Sequence, residues 1–216
     1  MFLNPIKEYE HITDWIQSLQ GIELTPHKFV RRLGRYLNSR RHPARVKFRY
    51  NNEILDPGDF SFGAEYDPDI DCKHGKQFQI DFFINLDKNA KYVIDQKSAD
   101  HIAIELTEIL VHEYEHQKQY RRRRYKEHKK PYIADHRDPN IKQKQEYLGN
   151  PDEIEAFAAN IAARYVLLGK RSHSLDLQSY YETFGKNHPV TLNLLDKIQT
   201  KFEFYEGLKP NAVKML

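Results

Sequence analysis

The spacing of hydrophobic residues predicts helices at the start of the chain. Residues 6–19 carry apolar side chains at helical intervals. A second helix is predicted to begin at Pro26 with Thr25 before it, because threonine is a common N-cap and proline is favoured at the first helical position. One face of this helix is apolar, and its other face carries four arginines: Arg31, Arg32, Arg35 and Arg40.

The middle of the chain changes to the period of two that is typical of strands. Residues 46–50 alternate between apolar and basic side chains, and residues 78–86 alternate for five steps, as in a strand with one buried face. Residues 92–94 predict a further short strand. Residues 56–76 are rich in turn-forming residues, so we expect a loop there.

The helical period returns in the second half. Ser98 is the expected N-cap of a long helix that runs to about Arg124. Residues 125–149 contain two prolines and little apolar periodicity, and they predict a loop excursion. This loop would separate the long helix from the later helices.

A well-marked helix start comes next. Asn150 is the expected N-cap and Pro151 the first helical residue, and Gly169 is a suitable C-cap. Two more helices are predicted at 174–184 and 189–206.

The order of these elements indicates the fold class. Strands come first and most helices later, which favours an α+β fold over a parallel α/β sheet. A length of 216 residues is enough for one core and short for two, so a single domain spanning residues 1–216 is expected.

Composition narrows the location of the protein. No run of about 18 apolar residues exists, and the N-terminus lacks a basic segment followed by an apolar one. Neither a membrane-spanning helix nor a secretory signal is therefore expected. The single Cys72 excludes an internal disulfide framework, which fits a reducing, cytoplasmic location.

The charge is balanced overall but unevenly distributed. The chain has 34 Lys and Arg against 31 Asp and Glu, for a formal net charge of +3. Residues 31–49 and 118–130 are basic, whereas residues 53–71 and 146–155 are acidic. Net charge alone gives no argument for nucleic-acid binding.

His112, Glu113 and His116 form an HExxH motif within the long helix. Residues at i and i+4 lie on one helix face, so the two imidazoles can bind one tetrahedral Zn²⁺. Glu113 lies about 100° around the axis from His112, where its carboxylate can accept a proton from a water molecule at the metal. The apolar stripe of the helix continues to this motif, so these side chains face the interior. The alternative is a histidine pair without a metal.

A catalytic zinc site needs a third protein ligand. The best candidate is Glu153, in the first turn of the next helix, since the small Ala156 on its side lets two helices approach closely. Glu155 projects in another direction, because i and i+2 do not share a helix face. For both glutamates the alternative is simple compensation of the helix dipole. His128 and His136, in the predicted loop, are rival ligands.

The two motifs together resemble the zincin metallopeptidases of the gluzincin type. The helix HEYEHQKQ precedes an ExxA at Glu153–Ala156, and the resemblance covers about residues 77–169. It implies a zincin-like α+β fold, in which a small antiparallel or mixed sheet packs on the HExxH helix and flanks the substrate cleft. The stretch NPDEIEAFA is also similar to small peptidase-like proteins of phages and bacteria.

The resemblance implies that His112, His116 and Glu153 bind Zn²⁺ and that Glu113 is the catalytic carboxylate. The expected activity is then zinc-dependent hydrolysis of a protein or peptide substrate. Many gluzincins have an Asp one turn after the distal Glu, where it supports a ligand histidine. Here Phe157 occupies that place, so the supporting group must come from elsewhere.

Gluzincins often stabilise the oxyanion with a Tyr or His from the C-terminal part. Each tyrosine can equally be a core residue with its hydroxyl at the surface, and the sequence does not select among the candidates. These are His188, Tyr180, Tyr181 and Tyr205.

The basic run 121–130 interleaves Arg and Lys with Tyr and suggests an alternative function. Together with the arginine face at 31–41 it could follow a phosphate backbone, as in a non-catalytic or nucleic-acid-associated protein on a zincin-like scaffold. The simpler interpretation, which we favour, is a solvated helix end whose cations complement the dipole.

Overall fold

The structure is a computed structural model, which describes residues 3–40, 44–50, 60–74, 78–84, 91–126, 131–169 and 174–209. Most of these residues are helical, and a small mixed sheet accompanies the helices, which is compatible with the expected α+β class. The elements in this part of the chain are α1 (Pro5–Gln17), β1 (Glu23–Leu24), α2 (Pro26–Ser39), β2 (Ala44–Tyr50), β3 (Phe60–Tyr66), α3 (Pro68–His74), β4 (Phe78–Ile84), β5 (Tyr92–Val93), α4 (Gln96–Arg122), α5 (Pro139–Gly149), α6 (Pro151–Leu168), α7 (Leu175–Phe184) and α8 (Pro189–Glu206).

The chain divides into two compact units. We call residues 9–113 the sheet unit, and residues 1–8 with 114–216 the helical unit. Helix α4 passes from the first to the second without a break in its secondary structure. The prediction of one domain spanning residues 1–216 stays a prediction, and the units are described separately.

The sheet unit contains both sheets. Strand β4 is central in the three-stranded sheet, parallel to β2 and antiparallel to β3, with Ile80 opposite Val46 on one side and Ala64 on the other. Strands β1 and β5 form a separate antiparallel pair. The predicted strand alternation is visible in β4, where Ile80 and Phe82 are buried.

An aromatic cluster forms much of the core of the sheet unit. The ring of Phe82 lies 5.0 Å from that of Phe29 on α2 and 4.9 Å from that of Phe62 on β3. Phe60 packs against His101 of α4, with ring centroids 5.3 Å apart, so the first part of α4 contacts the sheet. Such ring contacts contribute beyond simple area burial.

Helix α6 is the centre of the helical unit. Five of its alanines are fully buried, which allows close packing against α8 and explains why small residues recur along it: Ala156, Ala158, Ala159, Ala162 and Ala163. Larger side chains complete the core around them: Leu148, Ile154, Ile161, Tyr180, Val190, Leu194 and Ile198.

Several predicted helix boundaries are confirmed. Thr25 caps α2 by accepting a hydrogen bond from the Lys28 amide at 3.4 Å. Asn150 and Gly169 cap α6, and Gly169 has the positive φ of 94° that favours glycine. Helices α7 and α8 span residues 175–184 and 189–206, close to their expected limits.

The loop predicted at 56–76 is wrong over residues 60–74. Strand β3 forms there because β4 supplies its hydrogen-bond partners, a pairing that a short apolar run does not reveal. Helix α3 follows at Pro68, where Asp67 accepts hydrogen bonds from the amides of Asp69 and Ile70 at 2.9 Å each. Residues 56–59, 75 and 76 lie outside the described residues, as do 85 and 86 of the predicted strand.

Two further boundaries also differ from expectation. Helix α4 begins at Gln96, because its N-cap is Asp95 and not Ser98. The Asp95 carboxylate accepts a hydrogen bond from the Ser98 amide at 2.7 Å, and this bond lowers the pKa of Asp95. Helix α5 lies within the predicted loop 125–149, and Asp138 caps it by the same chemistry. Its apolar pattern is weak, since Ile141 is 41% exposed.

Helices long enough to span a bilayer are present, but their composition does not suit one. Helix α4 has 27 residues, and α6 and α8 have 18 each. Within the described ranges, none of the helices joins sufficient length with the apolar character that a membrane crossing requires.

Gly149, the last residue of α5, is expected to tolerate no side chain. A Cβ there would lie 2.5 Å from two ring carbons of Tyr132, which itself packs edge-on against Phe184. Replacing Gly149 by Ala should lower the free energy of unfolding by about 1–3 kcal/mol, as measured by urea denaturation.

The matched control is Gly34→Ala in α2. Within the described part of the chain, a Cβ at Gly34 meets only Val46, at an ordinary 3.7 Å, so alanine should stabilise the helix by about 0.5–1 kcal/mol through its higher propensity. Equal effects of the two substitutions would contradict the close contact at Gly149.

Candidate metal centre

Helix α4 carries the HExxH residues on its inner side. His112 and Glu113 are 9% and 5% exposed, and the His116 side chain is 12% exposed. The two histidines lie one turn apart on this continuous helix, as the motif predicts. The buried stripe that leads to them, with Ile102, Leu106 and Leu110, agrees with the sequence interpretation.

Glu153 lies in the first turn of α6. Pro151 begins this helix, and the Asn150 side chain accepts a hydrogen bond from the Asp152 amide at 3.0 Å. The cap therefore fixes the turn from which the Glu153 carboxylate projects. Its side chain is 15% exposed, so it lies largely out of solvent.

One ligand atom from each of His112, His116 and Glu153 lies within 4.8 Å of the other two. Two of these atoms, His116 Nε2 and Glu153 Oε1, are 3.4 Å apart. Zinc bonds to these donors are about 2.0–2.2 Å long, which makes the edge of the coordination tetrahedron about 3.4 Å. Two imidazoles and a carboxylate are a donor set that zinc prefers. The residues present therefore fit a zinc ion.

Gln119 fixes the tautomer of His116. The Gln119 side-chain amide donates from Nε2 to the Asp152 carbonyl at 3.0 Å, so its Oε1 faces His116 Nδ1 at 3.1 Å. An amide oxygen only accepts hydrogen bonds, so Nδ1 must carry the proton. The Nε2 atom of His116 is then left with its lone pair directed toward the side where Glu153 lies.

This tautomer makes the His116–Glu153 contact depend on a cation. An unprotonated ring nitrogen and a carboxylate oxygen repel each other at 3.4 Å. Either a proton on Nε2 or a metal ion between the two atoms relieves that repulsion. A hydrogen bond on the remote ring nitrogen is the usual way in which proteins orient a metal-ligating histidine.

Asp152 holds α4 and α6 together beside this group. Its carboxylate accepts two hydrogen bonds from Arg123, at 2.7 and 2.6 Å, in a bidentate pair. Arg123 also donates from Nε to the Lys126 carbonyl at 3.0 Å, which anchors the guanidinium. Bidentate Arg–carboxylate pairs are among the stronger and more directional contacts in proteins.

Gln119 therefore provides the hydrogen bond to a histidine of the motif that an Asp in place of Phe157 gives in many gluzincins. Phe157 packs edge-on against the ring of Tyr180, with centroids 5.7 Å apart, and belongs to the core. The sequence interpretation missed Gln119, Arg123 and Asp152. The available signal was spacing, since Gln119 follows His116 by three residues and so lies on its helix face.

Glu155 takes part in a different cluster. Its carboxylate lies 3.7 Å from Lys201 Nζ, and Lys201 also contacts Glu115 at 2.9 Å. Burial works to raise the pKa of Glu115, but Lys201 and Lys118 outweigh it and hold that pKa below its usual value. The geometry thus brings Glu153 to the histidines and Glu155 to a lysine, although the ligand assignment itself stays a prediction.

His136, one of the two rival histidines, does not belong to the group of three donors. His136 is exposed and accepts a hydrogen bond at Nδ1 from the Asp138 amide at 3.0 Å, next to the start of α5. His128 lies outside the described residues. Neither changes the set of three donors found among the described part of the chain.

The four candidate oxyanion donors differ in their surroundings. Tyr180 is fully buried, and burial raises the pKa of its phenol, with a further contribution from the charge of Glu153. Tyr205 is buried beside Glu115, which likewise raises its pKa after burial itself. His188 caps α8 by accepting from the Val190 amide at 3.2 Å.

Tyr181 is half-buried, with Lys186 Nζ 5.4 Å from its ring centroid. These contacts do not single out one of the four residues as the oxyanion donor. The oxyanion donor therefore remains open among the described residues.

The basic run 121–130 is partly engaged in the fold. Arg123 is committed to Asp152 and lies 4.9 Å over the ring of Tyr120. Arg124 and Tyr125 form the turn that ends α4, with positive φ values of 54° and 62°. Residues 127–130 of the run lie outside the described residues.

Comparison of the chain with protein-family models, with curated proteins and with solved structures gives no match. The resemblance to gluzincins therefore stays a prediction, supported by the donor geometry and not by a relative.

Gln119 should control zinc affinity through His116. Replacing Gln119 by Leu removes the acceptor at Nδ1 and should weaken zinc binding by about 10–100-fold in a competition titration with a chromophoric chelator. Gln119→Glu keeps an oxygen at this place and should lose less affinity. Equal zinc affinities of the Leu variant and the unaltered protein would argue against this role.

Proposed function

We propose that the protein is a zinc-dependent peptidase in which His112, His116 and Glu153 bind the metal and Glu113 is the general base. The observation that carries this proposal is the convergence of the three donors, of which His116 Nε2 and Glu153 Oε1 are 3.4 Å apart. The HExxH spacing gives each residue a distinct role in such a site.

Residues around the ligands hold them in position before any substrate binds. Gln119 keeps the Nε2 lone pair of His116 directed toward the metal position, and the cap at Asn150 holds the first turn of α6. When bound, zinc acidifies a water molecule and polarises the carbonyl of the scissile peptide bond. Three protein ligands leave one position open for this chemistry.

Glu113 performs the proton transfers. Its carboxylate follows His112 by one residue, beside the ligands rather than among them, and it is 5% exposed. Glu113 accepts the proton of the attacking water and passes it to the leaving amine, so that water adds across the peptide bond.

The substrate class follows from this chemistry and from the resemblance. It is a protein or peptide whose scissile bond binds beside α4. A cytoplasmic location is part of the same proposal. It is supported by the single Cys72, which is exposed on α3 and unable to form an internal disulfide.

Replacing Glu113 by Gln tests the catalytic role. The amide keeps the size of the side chain but cannot accept the proton, so hydrolysis should fall by about 10²–10⁴-fold. Zinc content, measured by atomic emission, should stay near one ion per chain in both proteins. The assay uses fluorescein-labelled casein and a mixed peptide library. Hydrolysis no faster than that of the Gln variant, in zinc-loaded unaltered protein, would exclude the peptidase.

Separate alanine substitutions of Glu153 and Glu155 test the third ligand. Glu153→Ala should reduce zinc affinity strongly, because it removes one of three donors. Glu155→Ala is the matched control two residues away, since its carboxylate contacts Lys201 instead. Full zinc content in both variants would show that neither glutamate is the third ligand.

A further inference from the structure

Helix α2 presents a purely basic face to solvent. Its buried residues include Phe29, Leu33 and Leu37, which form one stripe. Lys28, Arg31, Arg32 and Arg35 are all exposed and follow the spacing i, i+3, i+4, i+7 on the opposite side.

None of these four cations is paired with a carboxylate of the described residues. Residues 24–52 contain nine Lys and Arg and neither Asp nor Glu, although the whole chain carries only +3. The remaining residues therefore sum to 3 − 9 = −6, so the positive charge is concentrated here.

This arrangement disfavours the isolated helix. Like charges at i, i+3 and i, i+4 repel, and a lysine in the first turn opposes the helix dipole. Helix α2 has no acidic residue in its first turn to offset either effect. A multivalent anion that binds this face would relieve the repulsion.

We propose that the exposed face of α2 binds the phosphate backbone of a double-stranded nucleic acid without reading its sequence. The face runs from Lys28 to Arg35, which are seven helical steps or about 10 Å apart, and this length matches roughly three phosphates of one strand. Three of the four cations are arginines, whose planar groups bind phosphate oxygens bidentately. This surface belongs to the sheet unit and does not depend on the proposed peptidase activity.

The composition of the face selects a duplex over other anionic partners. None of its four cationic side chains has an aromatic ring, so base stacking on them contributes little to the binding of a single strand. The face carries no exposed large apolar residue either, and a membrane-surface helix needs one. Arg40 is set apart from this surface, since it ends the helix and contacts His11.

The test is fluorescence anisotropy with a labelled 24-base-pair duplex over a range of salt concentrations. The unaltered chain is compared with the triple variant Arg31→Gln, Arg32→Gln, Arg35→Gln. The matched control removes three exposed cations after the HExxH motif: Arg122→Gln, Arg124→Gln and Lys126→Gln.

We expect the α2 variant to bind the duplex at least about 10-fold more weakly near 100 mM salt. The magnitude of the slope of log K against log salt should decrease by about 2.7, which is ~0.9 for each lost phosphate contact. The control triple should keep most of the affinity and slope. The melting temperature of the α2 variant should be unchanged or higher, because its like-charge repulsion is gone; this separates lost binding from lost folding.

Three results would overturn the proposal. The first is no binding of the unaltered chain to the duplex at about 50 mM salt. The second is equal binding by the α2 variant, with loss only in the control, which would move the surface to the end of α4. The third is tighter binding to phosphatidylserine vesicles or to polyglutamate than to the duplex. Zinc content and hydrolysis play no part in these measurements, so the metal proposal can fail separately.

Discussion

The candidate site depends on how Asp152 joins the start of α6 to the end of α4. The Asp152 carbonyl accepts a hydrogen bond from Gln119, its carboxylate accepts two from Arg123, and its amide donates to Asn150. A residue held by its carbonyl, amide and side chain has little freedom to rotate. Because Glu153 is the next residue, its backbone is held in place as well. This fixes the point from which its side chain reaches His116.

The helical unit adds a second charged contact to this one. Lys201 of α8 lies between Glu115 of α4 and Glu155 of α6, so three helices meet at one ammonium group. These charges are mostly buried, and a buried charge requires a close partner. The paired groups therefore favour one arrangement of the helices, while the alanines of α6 allow the close approach. Both effects act on the helices that carry the donors.

The grouping of His112, His116 and Glu153 could be expected from the sequence more readily than the contacts around it. The HExxH residues and Glu153 could be found because local rules decide them: helical spacing, a buried stripe and a capped first turn. The preference for Glu153 over Glu155 agrees with the geometry, because i and i+2 diverge on any helix. Gln119 was missed because its role depends on the Asp152 carbonyl, a backbone group of a helix 33 residues away in the chain.

The misplaced elements have a related explanation. Strand β3 is stabilised by pairing with β4, and such non-local contacts leave a weak trace in the sequence. Helices α3 and α5 have strong caps at Asp67 and Asp138, each followed by proline, but too few apolar residues to show a period. The capping chemistry that identified α6 was present in both.

Asn150 is the single residue between α5, which ends at Gly149, and α6, which begins at Pro151. Its amide donates to the Tyr147 carbonyl and so closes α5, while its side chain opens α6. One residue thus ends a helix and begins the next. A residue inserted or deleted at this elbow would rotate α6 by about 100° around its axis and shift it by about 1.5 Å. Evolution can exchange side chains here more readily than it can alter the length of the chain.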